Sequence, residues 1–133
     1  MDLGNDELAK AAGVRSIKYY PDKNTDPSER NSNNDVPVLR LADVLLMKAE
    51  AILRGAAATS VKGELQTPDV LVNKIRTRAK APQVSGITLD GLLEERAREL
   101  AWEAWRRNDL IRFGKFESAW GFKTDANTFH RVY

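Results

Sequence analysis

The sequence contains no cysteine and a single histidine, His130. Without cysteine, the 133 residues hold no disulfide framework, no thiol nucleophile and no cysteine-based zinc site. Helical metal sites need Glu-x-x-His pairs on facing helices, and one histidine in a segment without periodicity does not supply them. The sequence therefore predicts neither a metal centre nor a cofactor site.

Long apolar runs are also absent, although hydrophobic residues make up 42% of the chain. No stretch approaches the roughly 18 consecutive apolar residues that a transmembrane helix needs. Residues 1–6 lack the basic region and apolar core of a signal peptide, so we expect none within these residues. The length and the 30% of charged residues predict one soluble globular domain.

An excess of one charge sign is missing as well. Lysine and arginine number 21 against 19 acidic residues, which leaves a net charge of +2. Nucleic-acid-binding domains carry a concentrated basic face, and neither half of this chain has one. We therefore expect no nucleic-acid partner.

Enzyme signatures are equally scarce. The sequence has no Gly-x-Ser-x-Gly elbow, no phosphate-binding loop and no dinucleotide fingerprint. Four glutamates cluster at Glu94, Glu95, Glu99 and Glu103, and Glu95 with Glu99 lies near the spacing of a retaining glycosidase pair. Each of these glutamates also has an arginine three or four positions away, which favours ion pairs. A glycosidase stays open as an alternative, and we expect no enzyme.

Two regions follow one another along the chain. Residues 1–37 contain a β-branched and aromatic segment, 14–20, that predicts a short strand ending at Pro21. The segment 22–35 is almost wholly polar and predicts a loop. Residues 38–133 read as a helical scaffold.

Three helices are predicted in this scaffold, and the fold class is mainly all-α with long loops. Residues 39–54 are apolar around most of the helix, apart from a narrow stripe of Asp43, Glu50 and Arg54, which predicts packing on two sides. An uncovered flank of such a helix favours self-association of the chain. Thr67 and Thr88 are predicted to be N-caps of the next two helices.

The second and third helices carry apolar residues at helical spacing. Residues 67–80 are predicted to turn Leu71, Val72, Ile75 and Ala79 inward. An apolar seam about four turns long is predicted from the positions that recur at steps of three and four: Leu89, Leu93, Ala97, Leu100 and Ala104.

Charges of alternating sign follow this seam at steps of three, at Glu103, Arg106, Asp109 and Arg112. On a continuous helix they form a ladder of charge-assisted hydrogen bonds. We expect this ladder to be partly buried among Trp102, Trp105 and Phe113 and to be structural rather than ligand-binding. Removing Arg106 is then expected to cost the 3–5 kcal/mol typical of a broken buried pair.

Aromatic residues outside the predicted helices are the candidate ligand platforms. Sugars and unpaired bases stack on aromatic rings, and loops on a rigid scaffold carry function more often than the scaffold does. Tyr19, Tyr20 and Trp120 meet both conditions, so they are the predicted ligand-binding residues.

Three segments resemble one protein family in order and spacing. Residues 34–51 (NDVPVLRLADVLLMKAEA) are similar to the segment that opens the C-terminal helical part of the RagB/SusD family, and 72–79 (VNKIRTRA) to its next helix. Residues 95–114 (ERARELAWEAWRRNDLIRFG) resemble its Glu-Arg, Glu-Leu, Phe-Glu-Gly, Arg, Asp-Leu and Arg-Phe-Gly string. Ala104 stands where the family has glycine, a small-for-small change.

The resemblance implies a fold and a function. Its members are surface lipoproteins of the outer membrane that bind oligosaccharides, in some cases peptides, beside a TonB-dependent transporter. Their irregular tetratricopeptide-like helix pairs scaffold the binding loops. The resemblance also implies that the signal peptide and the lipidated cysteine belong to a region outside this chain. A helical scaffold that contacts the transporter without binding ligand itself is the alternative.

Overall fold

The computed structural model describes residues 18–19, 34–35 and 37–118. The chain divides into two compact units, Met1–Val36 and Pro37–Tyr133. In the first unit, Lys18 and Tyr19 lie in a turn, and the other residues of the strand predicted at 14–20 lie outside the described residues. The predicted roles of regions 1–37 and 38–133 stay predictions.

The described part of the second unit contains four helices, which confirms the mainly α class. They are α1 (Leu41–Leu53), α2 (Pro68–Arg78), α3 (Leu89–Glu99) and α4 (Arg106–Arg112). Between α1 and α2, strands β1 (Ser60–Val61) and β2 (Glu64–Leu65) form an antiparallel hairpin in which Ser60 faces Leu65.

Both predicted N-caps are present. The hydroxyl of Thr67 accepts a hydrogen bond from the Val70 amide at 3.3 Å, and that of Thr88 accepts one from the Gly91 amide at 3.1 Å. Each bond satisfies one of the amides that the first turn of a helix leaves without a partner. The starts of α2 and α3 were therefore predictable from short-range chemistry.

A small apolar core joins the first three helices. α1 packs on both α2 and α3, and the buried side chains come from all three: Ala42, Leu46, Ala49, Leu71, Val72, Ile75 and Leu92. The inward face of α2 is as predicted except at Ala79, which is exposed. Ala79 follows the last residue of α2, so it has left the buried face.

The acidic side chains of the polar stripe in α1 are buried beside the core residues, and part of the apolar surface of α1 is exposed. Asp43 and Glu50, from the narrow polar stripe, are buried. Leu41, Val44 and Met47 instead keep 72%, 48% and 41% of their surface exposed. The predicted packing on two sides is confirmed, because α1 packs on both α2 and α3. The acidic part of the stripe is itself buried, because its side chains turn inward to meet arginines of α3 and α4.

We predict that this exposed apolar face makes the chain self-associate. Light scattering across a concentration series is expected to show a dimer or a larger species, because contiguous exposed apolar surface favours association. Val44→Glu places a charge in the middle of the face and is expected to give a monomer. Lys62→Glu, on the hairpin turn, is the control. A wild-type chain that stays monomeric throughout the series would contradict the prediction.

The third helix is shorter than its apolar seam predicts. α3 ends at Glu99, and a turn over residues 100–105 separates it from α4. In this turn Trp102 and Ala104 have φ values of 66° and 62°, in the left-handed region that bulky residues rarely adopt. The chain folds back because α4 is tied to α3, where Arg96 binds Asp109 at 2.9 Å.

Because of the turn at 100–105, most of the predicted charge ladder does not form. Among the described residues, only its last step forms as an ion pair, from Arg112 to Asp109 at 2.8 Å. Arg106 instead pairs with Glu94 at 2.9 Å, on the exposed surface. Glu103 is held by Arg40 at 2.8 Å. A ladder at steps of three requires one continuous helix, and the turn at 100–105 removes it.

The hairpin was not predicted, although its turn has a recognisable signal. Lys62 and Gly63 have φ values of 50° and 81°, as a two-residue turn with two left-handed positions requires. A glycine between Val61 and Leu65, with alternating polar residues, is a weak form of this pattern.

We predict that Ala104→Gly stabilises the chain. A left-handed conformation costs an L-residue roughly 1–2 kcal/mol, while glycine adds about 0.5–1 kcal/mol of unfolded-state entropy. The net gain expected in urea denaturation is therefore about 0.5–1 kcal/mol. Ala97→Gly, within α3, is the matched control and is expected to destabilise by about 0.5–1 kcal/mol. Equal losses for both variants would mean that the turn carries no strain at Ala104.

Candidate functional site

A cleft of about 560 Å³ lies where α3 runs beside α4. Its apolar lining comes from Leu93 of α3, Leu110 of α4 and Phe116, which follows α4. Small-molecule sites have volumes of about 300–1,000 Å³ and mostly apolar walls with a few polar groups. The cleft fits that description in size and in lining.

Two ion pairs lie among the residues that line this cleft. Arg106 Nη2 lies 2.9 Å from Glu94 Oε1, and Lys115 Nζ lies 3.2 Å from Asp90 Oδ1. Arg107 is different, because it forms no ion pair with the residues that the structure describes. Its guanidinium lies over the Phe116 ring, 5.2 Å from the centroid, at a distance that allows a cation–π contact.

A second depression of about 430 Å³ adjoins the cleft. Trp102, Trp105 and Leu100 line it, and it shares Arg106 and Arg107 with the cleft. Trp102 is 81% exposed. An exposed indole on a left-handed backbone position is unusual on two counts, and backbone strain of this kind clusters at functional sites.

A buried network of ion pairs connects the helices that form the cleft and the depression. Arg96 lies between Asp43 and Asp109, with its Nη1 2.8 Å from Asp43 Oδ1 and its Nε 2.9 Å from Asp109 Oδ2. All three side chains are 1% exposed. The contact to Asp43 is an ion pair without the angles of a hydrogen bond. Helices α1, α3 and α4 are thereby fixed to one another through one cation.

The network continues outward through Glu50 of α1. Arg112 donates to both carboxylate oxygens of Glu50, at 2.7 Å and 3.0 Å, and Arg54 donates to one of them at 2.9 Å. Burial opposes the charge on Glu50, but the hydrogen bonds from Arg112 and Arg54 outweigh it. The pKa of Glu50 therefore lies below its ordinary value of 4.5.

We predict an acid-dependent contribution of Glu50 to stability. A carboxyl whose pKa is lowered in the folded state stabilises fully above its unfolded pKa, and this stabilisation is lost as the pH falls through the folded value. Urea midpoints measured from about pH 7 down to about pH 3 are expected to fall less in Glu50→Gln than in wild type. Glu117→Gln, at an exposed position after α4, is the control. Parallel curves for wild type and Glu50→Gln would contradict the assignment.

A second cation, Arg40, holds the turn that carries Trp102. Its Nε and Nη2 donate to the two carboxylate oxygens of Glu103, each at 2.8 Å, and Nη2 also donates to the Glu99 carbonyl at 2.6 Å. The bonds to Glu103, followed by those to Glu99, raise the pKa of Arg40 above its ordinary value against the effect of burial. Arg40 precedes α1, so it ties the start of α1 to the end of α3.

The glycosidase alternative finds no support in the positions of its two carboxylates. Glu95 is bound by Arg76 at 2.6 Å and by Arg98 at 2.7 Å. Glu99 is bound by Arg40 and by Arg78. Both carboxylates accept charge-assisted hydrogen bonds from two guanidinium groups each. Both glutamates connect helices instead.

Of the three aromatic residues predicted to bind ligand, the structure describes one. Tyr19 is 44% exposed, with a φ of 56°, while Tyr20 and Trp120 lie outside the described residues. Their roles in ligand binding stay predictions. Trp102 was not among the predicted ligand-binding residues, because it was expected to pack around the charge ladder of a continuous helix. The signal that was available is the family glycine at position 104, which marks a turn.

Neither metal ligands nor a membrane span occurs in the described part of the chain. Within residues 18–19, 34–35 and 37–118, His, Cys, Asp and Glu nowhere form a group of three or more that is arranged to hold a metal ion. The same residues include no helix with the length and apolar character needed to cross a membrane.

Known proteins resemble this chain over most of its length. The sequence model of the SusD family matches residues 2–133. The starch-binding protein SusD of Bacteroides thetaiotaomicron is 38% identical over 98 residues, which are 71% of this chain and 16% of that protein. A SusD-like protein of Bacteroides ovatus is 32% identical, over 84% of this chain and 22% of its own. SusD-like protein P25 of Formosa agariphila is 38% identical, over 70% of this chain and 18% of that protein.

The chain thus spans about a fifth of the length of the curated relatives that it matches. No solved structure matches it significantly.

Proposed function

The chain belongs to the SusD family, and from this premise we propose that it acts in the non-catalytic binding of a glycan nutrient. A relative that shares 38% of the aligned residues is named as a starch-binding protein, which supports a carbohydrate ligand. The observation within this chain that carries the proposal is Trp102, which is 81% exposed and lines the 430 Å³ depression that adjoins the cleft. An exposed ring of this kind offers a flat apolar face to a sugar.

The absence of catalysis is part of the proposal. The acidic side chains nearest to these depressions, Asp90 and Glu94, each pair with a cation. Glu95 and Glu99 connect helices. None of them forms an acid and base pair across the cleft, so we infer binding without cleavage.

We also propose the setting in which this binding takes place. The family suggests a surface lipoprotein of the outer membrane that works beside a TonB-dependent transporter. The exposed apolar face of α1 supports a protein contact, since a contiguous face of this kind marks an interaction surface. The second candidate is a helical scaffold that contacts the transporter without binding ligand. The exposed apolar face of α1 favours this role.

A glycan panel tests the proposal. The 133-residue chain is run through native gels that contain neutral or acidic polysaccharides, and the incubated glycans are then assayed for new reducing ends. We expect at least one polysaccharide to retard the chain and none to be cleaved. Trp102→Ala is expected to weaken the retardation, whereas Trp102→Phe preserves an aromatic ring at the same position and serves as the control. A chain retarded by no glycan would favour the scaffold, and new reducing ends would contradict the binding-only role.

A further inference from the structure

We propose that the two depressions beside α4 form a site for an acidic saccharide, a sugar that carries a carboxylate or a sulfate ester, with Arg107 as its charge partner. The proposal rests on the proposed glycan-binding function and adds a ligand class to it. It depends on the charges around the cleft, on the position of Arg107 and on the neighbouring indole.

The charges that line the cleft do not cancel. Two anions, Asp90 and Glu94, are each paired with one cation, Lys115 and Arg106 respectively. The fifth charged residue in the lining, Arg107, has no acidic partner among the described residues. An anionic ligand would supply the missing charge, and a neutral ligand would leave this guanidinium uncompensated.

Arg107 also lies at the junction of the two depressions. It lines the 560 Å³ cleft and the 430 Å³ depression alike, so a ligand that occupies either one reaches its guanidinium. Arg107 lies over the Phe116 ring, and its guanidinium N–H groups donate to no acceptor among the described residues. A guanidinium in this state suits carboxylate and sulfate oxygens, which accept its parallel N–H groups in pairs.

Apolar surface on both sides of Arg107 favours a saccharide over a small inorganic anion. Leu93, Leu110 and Phe116 line the cleft, and the exposed Trp102 lines the second depression, which shares Arg107 with the cleft. A free phosphate or sulfate ion would use the cation and leave these faces without a partner. A sugar ring has apolar C–H faces for the walls and an acidic substituent for Arg107.

Calorimetry on the 133-residue chain tests the proposal with three defined probes. They are a trigalacturonate, which carries carboxylates, a sulfated galactan oligosaccharide, which carries sulfate esters, and maltotriose, which is neutral. We expect wild type to bind at least one acidic probe at least about tenfold more tightly than maltotriose, as a charge-assisted hydrogen bond implies. The affinity for that probe is expected to fall as salt is added.

Variants separate charge from stacking. Arg107→Gln is expected to lose about tenfold or more in affinity for the acidic probe while its affinity for maltotriose is unchanged. Arg107→Lys keeps the charge and is expected to recover part of that loss. Arg98→Gln removes an equal charge from an exposed position outside both depressions and is the matched control. Trp102→Ala is expected to weaken binding of acidic and neutral probes alike.

The outcomes distinguish this inference from the function on which it rests. Equal binding of the acidic probe by wild type and Arg107→Gln would overturn the inference, and so would a preference of wild type for maltotriose. In both cases the chain still binds a glycan, and the proposed function stands. Binding of none of the polysaccharides or probes would contradict both.

Discussion

Arg96→Ala is expected to lower the free energy of unfolding by about 3–5 kcal/mol, the cost of removing one partner from a buried ion pair. The substitution leaves Asp43 and Asp109, which are both 1% exposed, without the cation that lies between them. Because a domain has about 5–15 kcal/mol of stability in total, the loss is a large fraction of the whole. Urea denaturation followed by circular dichroism measures it.

Arg106→Ala is the matched control for this experiment. Its side chain is 44% exposed and pairs with a Glu94 that is 55% exposed, so we expect a loss of about 0–1 kcal/mol. The sequence predicted the larger loss for Arg106, since it placed that residue in a buried ladder. Similar losses for the Arg96 and Arg106 variants would contradict the burial argument.

A double variant separates the charge effect from packing. Asp109 keeps its ion pair with Arg112 when Arg96 is removed, so Asp43 is the carboxylate left without a cation, and Asp43→Asn in the Arg96→Ala background removes that charge. Part of the lost stability is then expected to return, because the cost comes mainly from leaving buried charges without a counter-ion. No recovery would assign the loss to the cavity that the arginine leaves behind.

The parts of the fold that the sequence predicts are those set by local chemistry. The caps at Thr67 and Thr88 and the inward face of α2 depend on residues within about one helical turn. The caps are present as expected, and so is the inward face of α2 apart from Ala79. The resemblance to the family likewise depends on short motifs in register. Family membership and helical class therefore follow from the amino-acid sequence itself.

Tertiary pairing decides the rest. Asp43 and Glu50 look like a solvent-facing stripe, since carboxylates are seldom buried without a partner. Their partners lie in α3 and α4, 53 and 62 positions along the chain, which no local pattern reveals. The same long-range pairing turns Leu41, Val44 and Met47 outward. The hydrophobic periodicity of α1 shows that the helix has a polar and an apolar face. It does not show which side chains are buried.

The candidate site was not predictable from the sequence for a related reason. The expected ladder of charges on a continuous helix was surrounded by Trp102, Trp105 and Phe113, so Trp102 was interpreted as a packing residue. The turn at 100–105 instead exposes the indole and brings Arg107 to the boundary of two depressions. Ala104 carried the relevant signal, because the family has glycine there and glycine favours φ above zero. A small-for-small interpretation considered the volume of that residue and left out its backbone conformation.

Arg40→Ala is expected to destabilise the chain by about 2–3 kcal/mol, between the values for exposed and buried pairs, and to loosen the turn that carries Trp102. Arg40 is 23% exposed, but its partners Glu99 and Glu103 are only 8% and 5% exposed. Two nearly buried carboxylates would lose a shared cation, and the Glu99 carbonyl would lose one donor.

This loosening has a functional consequence that is separate from stability. Arg40 lines neither depression, so any effect on glycan affinity reaches the site through the turn. We expect faster amide exchange at Glu103, whose N–H donates to the Leu100 carbonyl at 3.0 Å, together with weaker glycan binding. Arg78→Ala removes a more exposed partner of the same Glu99 and is expected to cost about 0–1 kcal/mol without changing affinity. The Arg40 variant could bind glycan as tightly as wild type although the amides of its turn exchange faster. That result would mean that the order of the turn does not position Trp102 for binding.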